Sequence, residues 1–160
     1  MLIAFAGPPC AGKSTLAAEV ARRRTLPHLS MDATRLRILP RAAHTRTDRA
    51  AAYRAMHLAA ELLLGAGASI ILDAPYGHRE DREELARIGG AQLRLIECQV
   101  SPATAAARFR ARGQDAVRKD LTEERVRRMV AEYPYTRTGL LLDTEAWTTE
   151  ECLDRIEGFL

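Results

Sequence analysis

Short apolar segments alternate along the chain with longer segments in which apolar residues recur every three or four positions. The short segments are rich in aliphatic and β-branched residues and most end at Gly or Asp, which predicts buried strands. The strongest such signal is Ser-Ile-Ile-Leu-Asp, residues 69–73. The predicted strands cover residues 2–6, 26–31, 69–73, 93–100 and 139–143.

The longer segments have helical periodicity and helix-terminating signals. They cover residues 14–23, 48–64, 79–88 and 121–133. Ser101-Pro102 opens a further helix, and Thr148 with Glu151 resembles a capping box for the last one. Strands that alternate with helices predict an α/β fold, with a parallel sheet of about five strands covered by helices on both faces. Ligands of such sheets bind at the carboxyl ends of the strands.

Length and composition restrict the class of protein and the cellular compartment to be expected. The 160 residues fit a single domain, 1–160, and the formal charge of +3 permits a phosphate-bearing partner without requiring nucleic acid. The apolar runs are shorter than the roughly 20 residues that cross a bilayer, and the N-terminus lacks signal-peptide features. Three cysteines without a C-x-x-C pair fit a reduced cytoplasm better than a disulfide framework. We therefore expect a cytoplasmic protein without a membrane partner.

The loop after the first predicted strand carries the clearest chemistry. Residues 7–14, Gly-Pro-Pro-Cys-Ala-Gly-Lys-Ser, have the form G-x-x-x-x-G-K-[ST], and Lys13 is one of only two lysines in the chain. Glycines let successive backbone N–H groups surround a phosphate chain, Lys13 reaches the β- and γ-phosphates, and Ser14 offers its hydroxyl to Mg²⁺. The alternative is a chance match in a glycine-rich turn, which the preceding strand and following helix disfavour. The expected nucleotide-binding residues are Gly7, Pro8, Pro9, Cys10, Ala11, Gly12, Lys13, Ser14 and Thr15.

With this loop in place, the chain resembles the P-loop kinases, in particular the AAA-type kinase-like group of chloramphenicol phosphotransferase, the zeta toxins and phage polynucleotide kinase. The likeness rests on "AGPPCAGKSTLA", "LSMDATRLRIL", "AAELLLGAGASIILDAPYGHREDREEL", "SPATAAARFRARGQD" and "LLLDTEAWTTEECLDRI", in this order. "SMDATR" differs from the D-x-D of shikimate kinases, and the gluconate kinase pattern is missing. The resemblance implies a three-layer P-loop NTPase fold with a small helical lid at about 105–122.

The resemblance also implies roles for two carboxylates that follow strands. Asp32 would accept the proton of the attacking hydroxyl, and its alternative role is to cap a helix over residues 33–38. Arg35, one turn later, would hold the acceptor or pair with Asp32. Asp73 is similar to the Walker B carboxylate, which holds Mg²⁺ through water, and its alternative role is to cap the strand end.

Further positions follow from the same resemblance. The acceptor side would be lined by Pro75, Tyr76, His78, Arg79 and Arg82. Arg108 and Arg112, four residues apart on one helix face, would clamp the migrating phosphoryl group when the lid closes, and the alternative is a plain basic helix. The sequence carries no readable code for the nucleotide base, for which residues 132–138 are the candidate segment.

Three functions remain open at this point. The first is a kinase that moves the γ-phosphate of ATP or GTP, with Mg²⁺, to a hydroxyl of a small molecule, and the resemblance favours an antibiotic as that acceptor. The second is a 5′-hydroxyl polynucleotide kinase, in which clustered arginines follow a nucleic-acid backbone; these are Arg35, Arg37, Arg41, Arg46, Arg49 and Arg54. The third is an ATP-gated regulatory binding protein. Either a monomer or a homodimer is compatible with the sequence.

Overall fold

A computed structural model of the protein describes residues 1–39, 41, 45–112 and 121–160. The strands in this part of the chain are β1 (Leu2–Ala6), β2 (His28–Ser30), β3 (Ile70–Asp73), β4 (Leu93–Gln99) and β5 (Leu140–Asp143). The α-helices are α1 (Lys13–Arg24), α2 (Met31–Ile38), α3 (Arg46–Gly65), α4 (Arg79–Gly89), α5 (Pro102–Arg112), α6 (Glu123–Ala131) and α7 (Thr149–Phe159). A 3-10 helix over Gly90–Gln92 leads into β4.

All five strands are parallel and lie in the order β2-β3-β1-β4-β5, which confirms the predicted fold class. The register pairs Asp73 with Phe5 of β1 on one side and with Ser30 of β2 on the other. The loop after β1, the carboxylate at the end of β3 and the first turn of α2 therefore meet at the same edge of the sheet.

Helices cover both faces of the sheet, and β1 is buried between them. Leu2 and Ala4 pack toward Met56 on the face that carries α2, α3 and α4. Ile3 and Phe5 pack on the opposite face, which carries α1, α5, α6 and α7. This alternation explains why the β1 sequence reads as a continuous apolar run.

The region around β2 differs from the prediction. Met31 was expected to end the strand, but it begins α2, with Ser30 in the N-cap position. The prediction that Asp32 caps this helix is therefore wrong, because Asp32 lies in its first turn. The reason is that β2 is an edge strand of three residues with a single partner, so the helical preference of the following segment sets the boundary.

None of the helices in residues 1–39, 45–112 and 121–160 is both long and apolar enough to span a membrane.

A buried carboxylate fixes the connection between α6 and β5. Glu97 of β4 is only 1% exposed and accepts hydrogen bonds from the backbone N–H groups of Thr136 and Arg137, at 2.8 and 2.7 Å. The hydroxyl of Thr136 adds a third bond at 3.0 Å. Arg137 has a positive φ of 57°, which the same two bonds hold in place. We call residues 132–139 the strap, because Glu97 ties this segment to the sheet.

We expect Glu97→Ala to lower the free energy of unfolding by about 3 kcal/mol, because it leaves two backbone donors of the strap without partners. Glu97→Gln keeps one acceptor oxygen and should cost less. Urea denaturation of both variants measures the difference. A Glu97→Ala protein as stable as the wild type would show that the strap does not depend on this carboxylate.

Candidate active site

The loop between β1 and α1 has the backbone conformation that close approach to a ligand requires. Gly7 has φ +143°, and a Cβ added there would lie 2.5 Å from the carbonyl oxygen of Cys98. Gly12 has φ +83° and Cys10 has φ 62°, so the chain turns twice through conformations that favour glycine. We call residues 7–15 the phosphate loop.

The N-terminus of α1, which the phosphate loop enters, differs from those of α3 and α7. Capping boxes built on Thr45 and Thr148 satisfy the first backbone N–H groups of α3 and α7. No side chain caps α1, and its first turn contains no acidic residue. The amide groups and the positive end of the helix dipole are therefore available to an anion.

Lys13 and Ser14 stand at the opening of this helix. The ammonium of Lys13 donates a hydrogen bond of 2.8 Å to the carbonyl oxygen of Pro8, across the phosphate loop. Ser14 is exposed, and both side chains line the same large cavity. One positive charge and one hydroxyl thus lie beside the unpaired amide groups of α1.

The large cavity has a volume of about 880 Å³ and lies at the carboxyl edge of the sheet. Pro8, Pro9, Cys10, Lys13 and Ser14 form the phosphate-loop side of its lining. The other walls come from α2, α3 and the residues after β3, and from α5, α6 and the start of the strap. The cavity therefore brings phosphate-binding groups together with side chains from most of the helices.

Asp32 lines this cavity, whereas Arg35 lies beneath it. The side chain of Asp32 is 36% exposed, and its Oδ1 lies 3.8 Å from Nη2 of Arg35. Arg35 is completely buried, and its Nε, Nη1 and Nη2 make no hydrogen bond within the described part of the chain. Burial of a guanidinium costs several kcal/mol unless a charge compensates it, and Asp32 is the carboxylate next to it. The structure thus favours the pairing of Arg35 with Asp32 over direct contact with an acceptor.

Asp73 lines the same cavity at the end of β3 and is 3% exposed. Nε2 of His28 lies 4.0 Å from its carboxylate, and burial lowers the pKa of this histidine, which favours its neutral form. The described residues contain no group of three or more His, Cys, Asp or Glu side chains placed to hold a metal ion by themselves. One buried carboxylate and the nearby Ser14 hydroxyl fit a Mg²⁺ ion that takes its remaining ligands from phosphate and water.

A smaller cavity of about 220 Å³ adjoins the phosphate loop at Cys10, Gly12 and Thr15. Gly12, Thr15, Thr144 and Trp147 contribute to its lining, together with both predicted lid arginines. Thr144 and Trp147 belong to the loop that joins β5 to α7. None of residues 132–138, the candidate segment for the nucleotide base, lines this cavity.

The two predicted lid arginines have different surroundings. Arg108 donates hydrogen bonds to the carbonyl oxygens of Cys10, at 3.2 Å, and Thr144, at 2.5 Å, so it joins the phosphate loop to the end of β5. Arg112 is exposed and lines both cavities. Residues 113–120 of the predicted lid lie outside the described residues.

Three predicted acceptor residues lie away from the cavity. Tyr76 is completely buried in the core, where its hydroxyl lies 3.4 Å from Nε2 of His57. Arg79 is exposed and forms an ion pair with Glu83, and Arg82 donates to the carbonyl oxygen of Tyr76. Their expected position is corrected because Tyr76, at a positive φ of 47°, packs against Tyr53 and His57 in the core, and Arg79 and Arg82 do not line the cavity.

His78, which was expected on the acceptor side, does line the large cavity, just before α4. Asp81 of α4 also lines it and was not singled out from the sequence, and burial raises the pKa of Asp81. Tyr133 of the strap, in the segment expected near the nucleotide base, donates its hydroxyl to the carbonyl oxygen of Pro75 and lines the large cavity. The remaining apolar part of this wall consists of Phe109, Leu121, Met129 and Pro134. An apolar stripe on a helix reads as core in the sequence, so no local signal marked these residues as cavity lining.

Comparison with known proteins agrees with this architecture. The model of the AAA domain family (AAA_33) matches residues 2–135. A search of curated proteins finds no match to the chain. Among solved structures, a presumed kinase from Chloroflexus aurantiacus J-10-fl has a TM-score of 0.80 at 22% identity, over 99% of this chain and 97% of the other. A sugar kinase from Janibacter sp. HTCC2649 has a TM-score of 0.76 at 17% identity, over 99% and 92%.

The APS kinase CysC of Mycobacterium tuberculosis, solved with AMPPNP and APS, has a TM-score of 0.70 at 17% identity, over 98% of this chain and 95% of the other. At such identities these structures are similar in fold, and each name belongs to the protein that carries it. The family match covers most of the chain and includes the phosphate loop, Asp32 and Asp73. The chain therefore belongs to the AAA domain family (AAA_33), and its fold is that of the P-loop kinases.

Proposed function

We propose that the protein is a phosphotransferase that moves the γ-phosphate of ATP or GTP to a hydroxyl group of a small molecule. The observation that carries this proposal is the large cavity, which holds the phosphate loop with Lys13 and the carboxylate of Asp32 in one space. Phosphoryl transfer depends mainly on the position of the reactants and on charge neutralisation, and this cavity offers both.

The transfer itself needs one base and several cations. The acceptor oxygen forms a bond to the γ-phosphorus while the bond to the bridging oxygen breaks, and the nucleoside diphosphate leaves. Asp32 takes the proton of the acceptor hydroxyl, and Arg35 beneath it orients the carboxylate. Lys13 and the amide groups of α1 neutralise the phosphate oxygens, and Arg112, which lines both cavities, reaches the migrating group.

A Mg²⁺ ion would be held by the Ser14 hydroxyl and, through water, by Asp73. When bound, such an ion neutralises charge on the β- and γ-phosphate oxygens. The cysteines at positions 10, 98 and 152 are all free, which supports a reducing compartment such as the cytoplasm as the site of action.

The nucleotide base belongs in the smaller cavity, because this cavity adjoins Gly12 and Thr15 of the phosphate loop, whereas Asp32 lines only the large cavity. Trp147 is 38% exposed there, and the guanidinium of Arg155 stacks 3.6 Å from the centroid of its ring. An aromatic ring at this position suits a flat base.

We expect Trp147→Ala to raise the nucleotide Kd by about tenfold, since a stacking contact with a base contributes 1–3 kcal/mol. The acceptor KM should stay unchanged, and Trp147→Phe should retain most of the affinity. Calorimetric titration with ATP and with GTP gives the Kd values. An equal loss in acceptor KM would contradict the assignment of the two cavities.

The small acceptor remains to be identified, and an antibiotic is our first choice because of the resemblance to chloramphenicol phosphotransferase. The decisive experiment incubates the protein with γ-labelled ATP or GTP and a panel of hydroxyl compounds that includes nucleoside antibiotics. Nucleotide consumption that depends on the acceptor, with a product heavier by one phosphoryl group, supports the proposal. Nucleotide that is consumed equally without any acceptor contradicts it.

Separate measurements test the other two functions. A polynucleotide kinase would phosphorylate oligonucleotide 5′-hydroxyls, and its binding would weaken steeply with salt. The arginines expected to follow a nucleic acid do not form one row, because Arg35 is buried, Arg49 lines the cavity and Arg54 lies on the outer face of α3. Slow hydrolysis that depends on a protein partner and yields no phosphorylated product would instead indicate a regulatory binder.

A further inference from the structure

The outer face of α3 carries a heptad pattern that the fold does not use. Residues Ala51, Leu58 and Gly65 recur every seven positions, and so do Ala55 and Leu62. Leu58 is 57% exposed and Leu62 is 67% exposed, the largest exposures among the big apolar residues of the described chain. A seven-residue repeat keeps these positions in one straight line when two helices wind around each other.

Charges on this face are arranged with the same seven-residue spacing. Arg54 precedes Leu58 by one turn, and Glu61 occupies the equivalent position one repeat later. Arg54 has no carboxylate within ion-pair distance among the described residues. Glu61 forms an ion pair with Arg87 of α4. Arg87 also pairs with Glu84, so its guanidinium would keep a carboxylate partner if Glu61 turned toward a second copy.

These two features make the face complementary to itself. When two copies of α3 run antiparallel and cross midway between Arg54 and Glu61, Arg54 of each copy faces Glu61 of the other. The two Leu58 side chains then meet beside the twofold axis. Leu62 faces the gap between Ala51 and Ala55 of the second copy, where small residues leave room for it. A twofold interface requires such self-complementarity.

We propose that the protein forms a symmetric dimer in which the outer face of α3 packs antiparallel against the same face of a second copy. The helix has 20 residues and is about 30 Å long, which is enough for the whole seam. Its inner face supplies Tyr53 and Arg49 to the large cavity, so a dimer formed through the outer face leaves the active site accessible.

Sedimentation equilibrium over a range of protein concentrations tests this proposal, and we expect a monomer–dimer equilibrium. Arg54→Glu places like charges opposite each other twice, so the dimer Kd should rise by about tenfold or more. Arg54→Glu combined with Glu61→Arg restores opposite charges and should restore the affinity. Leu58→Asp buries two carboxylates at the axis and should raise the Kd by about 100-fold.

Arg22→Glu is the matched control, because Arg22 is an exposed arginine on α1, and its dimer Kd should equal that of the wild type. Leu58 and Arg54 are exposed, so these variants should fold, and thermal unfolding checks this. A wild type that stays monomeric, a dimer that survives Leu58→Asp, or a double variant as weak as Arg54→Glu alone would each overturn the proposal. The kinase assay is independent of all three outcomes.

Discussion

Replacement of Asp32 by asparagine is expected to lower kcat by about 10³-fold and to leave the nucleotide Kd nearly unchanged. Asparagine keeps the shape of the side chain but cannot take the proton of the attacking hydroxyl. Asp32 lines the large cavity opposite the phosphate loop, with the buried guanidinium of Arg35 on its other side. Single-turnover rates with a saturating acceptor, combined with calorimetric titration of the nucleotide, separate the chemical step from binding.

The matched control is Asp81→Asn. Asp81 is a second carboxylate in the lining of the same cavity, but it lies on α4, whereas the buried Arg35 pairs with Asp32. We expect this variant to change the acceptor KM and to leave kcat within about threefold of the wild type. Equal losses of kcat in both variants, or a lost nucleotide affinity in Asp32→Asn, would contradict the role of Asp32 as the base.

The sheet and its functional edge could be predicted from the sequence because their signals are local. A glycine loop between a buried strand and a helix determines its own backbone conformation, as the φ values of Gly7 and Gly12 confirm. The position of Asp73 could be predicted because parallel strands end at the same edge of a sheet. The register, which pairs Asp73 with Phe5, places Asp73 at this edge. Each of these inferences needs only a few neighbouring residues and the alternation of strands with helices.

Positions that depend on distant contacts could not be predicted. Tyr76 follows Asp73 by three residues, yet the contacts with Tyr53 and His57 decide that it points into the core. Glu97 holds backbone groups that lie 39 and 40 residues further along the chain. A lone acid within the apolar β4 segment signals a buried partner, but the sequence does not say which segment supplies it.

Arg35 combines a local and a distant cause. Its place one turn after Asp32 makes an ion pair possible in any helix. Its complete burial arises from the close packing of α2 on α3, which the sequence pattern did not reveal. The consequence concerns the site, because a buried guanidinium 3.8 Å from the carboxylate of Asp32 orients that side chain at the cavity.

Replacement of Lys13 by alanine is expected to weaken triphosphate binding by at least about 100-fold, because the charge that faces the β- and γ-phosphates is lost. Lys13→Arg should recover little, since a planar guanidinium is too large for the space beside Pro8. The fold should persist in both variants, because the side chain makes one hydrogen bond at the cavity surface.

The control for Lys13→Ala is Arg22→Ala, which removes one positive charge from a side chain that is 71% exposed on the same helix. It should bind a non-hydrolysable triphosphate analogue as tightly as the wild type, because a distant exposed charge is screened by salt. Calorimetric titration of all three variants gives the comparison. If Lys13→Ala bound the analogue with wild-type affinity, the uncapped amide groups of α1 would have to hold the phosphates alone. This result would contradict the assignment of the cavity as a phosphoryl-transfer site.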